Sequence, residues 1–225
     1  MSTKSSEQSV AVEDYAKAIY ALQSRGEGAV TTNALAERLG VTPASASGMV
    51  KRLAELGLAE HRPYHGVELT DPGRDLALEM LRHHRLLELY LAESLGVPWD
   101  RVHAEAEVLE HVLSEELEEL IAAKLGDPTR DPHGDPIPTR DLLIDDTPTT
   151  SLESLAAGAT GTFVRISDSD SDMLRYLGER GIAPGARFEV VEKQPFGGPL
   201  FVRFGDAVHV LGGDLAAAMC VEVDA

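Results

Sequence analysis

The pattern of apolar and polar residues at the N-terminus predicts a helix-turn-helix. Apolar residues recur at helical spacing from Val10 to Gln23, and two shorter helical segments follow at 33–39 and 43–56. Gly40 stands in the tight turn between these segments. The second segment opens with a threonine and a proline, residues that favour the first positions of a helix.

The next stretch predicts a hairpin and then a helical region. Residues 58–70 alternate between apolar and polar around His65-Gly66, and such alternation is typical of a β-hairpin. A hairpin directly after a helix-turn-helix is the layout of a winged helix. Helical spacing then predicts three longer helices, which run from Asp71 to about Leu95, from Pro98 through Leu113, and from Ser114 to Gly126.

The last third of the chain changes character. Residues 127–157 are rich in proline, aspartate and threonine, whereas residues 158–225 contain short β-prone runs between glycines and one short helix near 173–181. This pattern predicts a small β-barrel of the SH3-like kind. The fold class is therefore α+β, with four segments: a winged helix-turn-helix at 1–75, a helical metal-binding and dimerisation domain at 76–145, a linker at 146–157 and the SH3-like domain at 158–225.

Composition limits the classes of protein to which the chain can belong. Its 225 residues are 43% hydrophobic and 26% charged, which is ordinary for a folded globular protein. We expect no membrane association, since no apolar run approaches the roughly 18 residues that cross a bilayer. One cysteine and no signal-peptide core predict a cytoplasmic protein.

The formal net charge of −18 argues at first against a nucleic-acid partner. The excess is unevenly distributed, however, because the first 75 residues are nearly neutral and the acidic residues accumulate after them. DNA binding by the winged helix therefore stays open. A winged helix that serves protein contacts or acts as a scaffold is the alternative.

The second helix of the helix-turn-helix and the hairpin supply candidate DNA contacts. Short hydroxyl side chains suit phosphates or base edges, and basic side chains suit phosphates, whereas alanine and glycine allow only sparse or apolar readout. The predicted contact residues are Thr42, Ala44, Ser45, Ser47, Gly48, Lys51, Arg52 and Arg62.

Histidines and glutamates are concentrated on two of the predicted helices. His84 and Glu88 are four residues apart on the first, and His103, Glu107, Glu110 and His111 share a face of the second. A solvated helix face is the simpler explanation for one such pair. Two pairs on neighbouring helices instead predict a site for a first-row divalent ion, because imidazoles and carboxylates that converge are costly to bury without a cation.

These residues resemble the diphtheria toxin repressor family of iron- and manganese-dependent transcriptional regulators. The resemblance covers nearly the whole chain and rests on the winged helix, HHRLLE (83–88), VHAEAEVLEH (102–111), DPHGDPIP (131–138) and the SH3-like domain. It implies a homodimer that binds double-stranded, palindromic operator DNA when metal is bound, and that has no enzymatic role.

The resemblance also implies two metal sites. The primary site would consist of Asp14, Glu107, Glu110 and His111. The ancillary site would consist of His84, Glu88 and His103, completed by an acid of the SH3-like domain. Asp170 aligns best for that acid, with Asp168 and Asp172 as alternatives.

The two carboxylates at positions 14 and 107 bear on the metal. Iron-responsive members of the family usually offer methionine and cysteine there, so the hard oxygen ligands favour Mn²⁺, with Fe²⁺ as its chief rival and Co²⁺ or Zn²⁺ as possible substitutes. Gly48 stands where iron-dependent members carry a DNA-contacting glutamine, which leaves the operator sequence open. The other functional classes are a metallohydrolase, for which no nucleophile motif is present, and a metal-storage or interaction protein.

Overall fold

A computed structural model describes residues 3–24, 26, 29–62, 66–145 and 147–224. Its helices are α1 (Thr3–Gln23), α2 (Thr32–Arg38), α3 (Pro43–Glu55), α4 (Asp71–Leu95), α5 (Val102–Leu109), α6 (Glu115–Leu125), α7 (Ser171–Gly178) and α8 (Gly213–Ala218). Its strands are β1 (Ala59–Arg62), β2 (Gly66–Leu69), β3 (Thr150–Ser151), β4 (Thr160–Ile166), β5 (Arg187–Lys193), β6 (Leu200–Phe204), β7 (Ala207–Leu211) and β8 (Met219–Val223). None of these helices is both long and apolar enough to cross a membrane.

The chain divides into two compact units. The first consists of Met1–His83 with Pro138–Leu143, and the second of His84–Ile137 with Ile144–Ala225. Helix α4 begins in the first unit and ends in the second.

The first unit contains the predicted winged helix. The threonines before α2 and α3 both act as N-caps: the Thr31 hydroxyl accepts a hydrogen bond from the Ala34 amide, and the Thr42 hydroxyl accepts one from the Ser45 amide. The apolar faces of α1, α2 and α3 pack with the hairpin β1–β2 into one core. His65, which we predicted in the hairpin turn, lies outside the described residues.

The helical part of the second unit differs from the prediction at one helix start. The sequence predicts a helix from Pro98, but α5 begins at Val102, because the chain first makes a turn in which the Arg101 amide donates to the Pro98 carbonyl. The end of the predicted helix is a 3-10 turn, Glu110–Val112. Helix α6 begins after the Ser114 cap, as predicted.

Helix α6 ends at Gly126. That residue has a φ of 79°, a left-handed conformation that glycine adopts without steric cost.

The β-rich part of the second unit is the SH3-like domain. Its six strands form an antiparallel sheet in the order β3-β8-β4-β5-β6-β7, around a core that includes Phe163, Leu177 and Val202. Part of the predicted linker belongs to this domain, since β3 pairs with β8 and Leu152 is fully buried in its core. The sequence pattern also missed β3 and α8.

Candidate metal centre

Two helices of the second unit bring three predicted ligands of the ancillary site together. His84 and Glu88 lie one turn apart on α4, with 3.0 Å between His84 Nε2 and Glu88 Oε1. His103 is the second residue of α5. Its Nδ1 lies 3.1 Å from His84 Nε2 and 3.3 Å from Glu88 Oε1. His84 and Glu88 are buried, whereas His103 is 41% exposed. The group is therefore reachable from solvent at one edge.

The fourth member of this group is Asp168, whose carboxylate is the second one in it after that of Glu88. One of its oxygens lies 2.8 Å from His103 Nδ1. Asp170, the acid that the sequence analysis favours as the ligand, is the N-cap of α7, where its side chain accepts hydrogen bonds from the amides of Asp172 and Met173. The structure thus brings Asp168, and not Asp170, to the ancillary group, because β4 ends at Ile166 and the loop after it turns towards α5.

The predicted ligands of the primary site lie in different elements. Glu107 is on α5, and Glu110 and His111 are in the 3-10 turn that follows, so that Glu110 Oε1 lies 3.5 Å from His111 Nε2. Glu110 is buried, and its Oε2 is 2.5 Å from His84 Nδ1. Asp14 is a half-buried residue of α1 in the first unit.

The members of this group, which we call the ancillary group (His84, Glu88, His103 and Asp168), shift one another's pKa values. Burial raises the pKa of Glu88, but the interactions of its carboxylate with His103, His133 and His84 outweigh that effect and hold the pKa well below its ordinary value. The pKa of His103 is raised to about 10, chiefly by its hydrogen bond with Asp168 and then by that with Glu88. Burial likewise raises the pKa of Asp168, and the hydrogen bond with His103 reverses the direction to a lowered pKa.

These groups suit a metal ion. His84, Glu88, His103 and Asp168 each offer a ligand atom, all within 4.8 Å of one another, and His84, Glu107 and Glu110 form a second such group. Imidazole nitrogens with carboxylate oxygens are ligands that first-row divalent ions accept. A bound dication would take the place of the shared protons and compensate the clustered carboxylates.

A loop that the sequence reasoning did not assign packs beside this group. Asp131 and His133 are buried, and Arg85 donates to the Pro136 carbonyl and lies 3.6 Å from an Asp135 oxygen. Burial, with repulsion from Asp135 and Glu88, raises the pKa of Asp131 to about 8. The sequence signal for this loop is DPHGD, a histidine with an aspartate two residues away on each side.

The predicted DNA contacts are all exposed residues of the first unit. Ala46 and Val50 turn the opposite face of α3 into the core, which leaves the hydroxyls of Ser45 and Ser47 and the cation of Lys51 on the outside. The guanidinium of Arg52 lies 3.4 Å from Glu55, and that of Arg62 lies 3.2 Å from Glu60. Both pairs are exposed and cost little to break.

A winged helix joined to helices that carry clustered histidines and carboxylates defines a metal-dependent DNA-binding regulator. Three family models match the chain in order: "Iron dependent repressor, N-terminal DNA binding domain" at residues 9–67, "Iron dependent repressor, metal binding and dimerisation domain" at 70–139, and "FeoA domain" at 150–223. The chain belongs to the iron-dependent repressor family of metal-dependent transcriptional repressors, as the resemblance predicted.

Individual relatives agree with this assignment. The iron-dependent repressor IdeR of Mycobacterium tuberculosis is 35% identical, over 93% of this chain and 96% of its own. The diphtheria toxin repressor of Corynebacterium glutamicum is 31% identical, over 93% and 95%. A solved structure described as a manganese-dependent transcriptional repressor in complex with manganese is 45% identical, covers 94% of this chain and 99% of that one, and superposes with a TM-score of 0.86.

Proposed function

We propose that the protein is a manganese-activated repressor that binds palindromic operator DNA as a homodimer. The observation that carries this proposal is the donor chemistry of the candidate groups, which consist of histidine, glutamate and aspartate without sulfur. Among the plausible ions, Mn²⁺ is the hardest and the one that carboxylate oxygen ligands suit best. The similarity to a repressor solved with manganese supports the same choice.

Within this proposal, Asp14, Glu107, Glu110 and His111 hold the regulatory ion, and His84, Glu88, His103 and Asp168 hold the ancillary one. The ion activates the repressor because it binds the DNA-competent state more tightly than the other state. The dimerisation and DNA-binding models that match the chain support the homodimer and the DNA target.

The metal specificity is tested with the protein's own upstream DNA. Binding is measured by fluorescence anisotropy while Mn²⁺, Fe²⁺ without oxygen, Co²⁺ and Zn²⁺ are titrated separately. Activation by Mn²⁺ at a lower free concentration than Fe²⁺ requires supports the proposal. The double variant Asp14→Met, Glu107→Cys introduces the sulfur ligands of the iron-responsive members and should shift the preference towards Fe²⁺.

Iron(II) is the second candidate metal. The observation in its favour is the 35% identity, across nearly the whole chain, to a repressor described as iron-dependent. Activation by Fe²⁺ well below the concentration at which Mn²⁺ acts would establish it. Absence of operator binding with every ion would instead contradict the repressor proposal and favour a metalloprotein that does not bind DNA.

The primary site is tested by substitution of Asp14, its proposed ligand on α1. Asp14→Ala should raise the Mn²⁺ concentration needed for operator binding by at least about tenfold, since a ligand is lost. Glu13→Ala is the matched control, because it removes the same charge from the neighbouring residue of the same helix. An unchanged Mn²⁺ requirement in Asp14→Ala would overturn the ligand assignment.

A further inference from the structure

The buried side chain of His133, in the second unit, has one ring nitrogen without a hydrogen-bond partner among the described residues. The side chain is fully buried, and that nitrogen is Nδ1. The other ring nitrogen, Nε2, lies 2.8 Å from the carbonyl oxygen of Trp99. A carbonyl only accepts hydrogen bonds, so Nε2 carries a proton and donates it. In the neutral ring Nδ1 therefore presents a lone pair.

Nδ1 lies opposite a carboxylate oxygen. Glu88 Oε2 lies 3.8 Å from His133 Nδ1, beyond hydrogen-bond distance. The two oxygens of Glu88 face different groups. Oε2 faces His133, whereas Oε1 lies within 3.3 Å of both His84 Nε2 and His103 Nδ1. A buried imidazole nitrogen opposite a buried carboxylate requires positive charge between them, which either a proton on Nδ1 or a bound metal cation supplies.

Asp131 supplies a third donor. Its side chain is buried, and Oδ1 accepts hydrogen bonds from the amides of His133 at 2.8 Å and Asp135 at 2.9 Å. These bonds orient the carboxylate. Glu88, Asp131 and His133 each place a ligand atom within 4.8 Å of the other two. The guanidinium of Arg85 lies 3.8 Å from Asp131 and donates instead to the Pro136 carbonyl.

We propose that Glu88, Asp131 and His133 bind a further divalent cation, so that Glu88 bridges this ion and the ion of the ancillary group. The inference rests on the proposed function only through Glu88, which both sites share. One imidazole nitrogen and two carboxylate oxygens form a donor set for a first-row dication, with water in the remaining positions. The bond from Nε2 to the Trp99 carbonyl is the outer contact that a metal-ligating histidine usually makes.

The site is tested by the number of Mn²⁺ ions that the full chain binds at equilibrium. Asp131→Asn removes the charge while its amide oxygen still accepts the two backbone hydrogen bonds. Asp135→Asn is the matched control, because this neighbouring carboxylate pairs with Arg85 and Arg165 and is absent from the donor group. We expect Asp131→Asn to bind one ion fewer per chain than either Asp135→Asn or the unmodified protein.

Crystals of the unmodified protein grown with Mn²⁺ give a second readout that does not depend on a variant folding. Anomalous scattering at the manganese edge should show a peak within bonding distance of His133 Nδ1, beside a separate peak at the ancillary group.

Two results would overturn the proposal. One is an anomalous map with a peak at the ancillary group and none bonded to His133. The other is an equal ion count in Asp131→Asn and Asp135→Asn. Either result would mean that a protonated His133 simply pairs with Glu88. Operator binding measured on the same samples separates this outcome from failure of the repressor proposal, which would appear as loss of all metal-dependent DNA binding.

Discussion

The Asp168 carboxylate lies 2.8 Å from Nδ1 of His103 and so connects a loop of the SH3-like domain to helix α5. The same nitrogen is 3.3 Å from Glu88 on α4. The ancillary group is thus assembled from three elements that are distant in sequence. This relationship makes the SH3-like domain a part of the proposed metal centre.

Substitution of Asp168 should weaken metal binding at the ancillary group. In Asp168→Asn the carboxylate beside His103 becomes neutral, and we expect at least about tenfold weaker Mn²⁺ binding there in a calorimetric titration. Asp170→Asn is the control, because asparagine caps a helix as well as aspartate does. A weakened site in Asp170→Asn together with an unchanged site in Asp168→Asn would instead make Asp170 the ligand, as the sequence predicts.

Two threonine caps separate helix stability from DNA contact. Thr42→Ala and Thr31→Ala each remove an N-cap hydrogen bond and should lower the free energy of unfolding by about 1 kcal/mol, measured in urea at a fixed protein concentration. Only Thr42→Ala should also weaken operator binding, since Thr42 caps α3, the helix that carries most of the predicted DNA contacts. Equal operator affinities in the two variants would remove Thr42 from the DNA interface.

Lys51 should contribute to DNA binding as a phosphate contact. Lys51→Ala should weaken binding to all DNA sequences alike and reduce the slope of log affinity against log salt by about 1. Lys193→Ala removes a lysine that donates to the Glu153 carbonyl in the SH3-like domain, and its salt slope should match that of the unmodified protein. A salt slope that stays unchanged in Lys51→Ala would contradict the contact.

Gly134 should be intolerant of a side chain. It has a φ of 86°, and a Cβ there would overlap the Val164 carbonyl, so Gly134→Ala combines backbone strain with a clash against β4. Gly181→Ala is the control: its φ is 66°, but no atom lies within 4 Å of the added carbon. We expect a loss of about 1–2 kcal/mol in Gly181→Ala from the left-handed conformation alone, and a larger loss in Gly134→Ala. Urea unfolding of the metal-free protein measures both.

Removal of metal should lower the melting temperature. A ligand that binds the folded chain and not the unfolded one stabilises it in proportion to the logarithm of its free concentration. Treatment with a chelator should therefore lower the Tm, and restoration of Mn²⁺ should recover it. The shift should be smaller in Glu88→Gln, the residue shared by two proposed ions, and an identical shift in that variant would contradict its role as a ligand.

Local sequence determined most of the elements. The threonines before α2 and α3, Ser114 before α6 and Gly126 after it set helix ends through hydrogen bonds and backbone conformations that involve only nearby residues. The spacing of His84 with Glu88, and of His103 with Glu107, placed each pair on one helix face before any tertiary contact was known. The turn before α5 and the strand β3 were missed because both depend on bonds that periodicity does not report.

Only the tertiary structure decided which carboxylate completes the ancillary group. Asp168, Asp170 and Asp172 alternate in one polar segment, and nothing in their local sequence separates a helix cap from a ligand. The end of β4 and the start of α7 fix the direction of each side chain, and this direction places Asp168 at His103. The sequence determined the kinds of ligand available, whereas burial and packing decided which of them meet, including His133, whose buried Nδ1 lies 3.8 Å from a Glu88 oxygen.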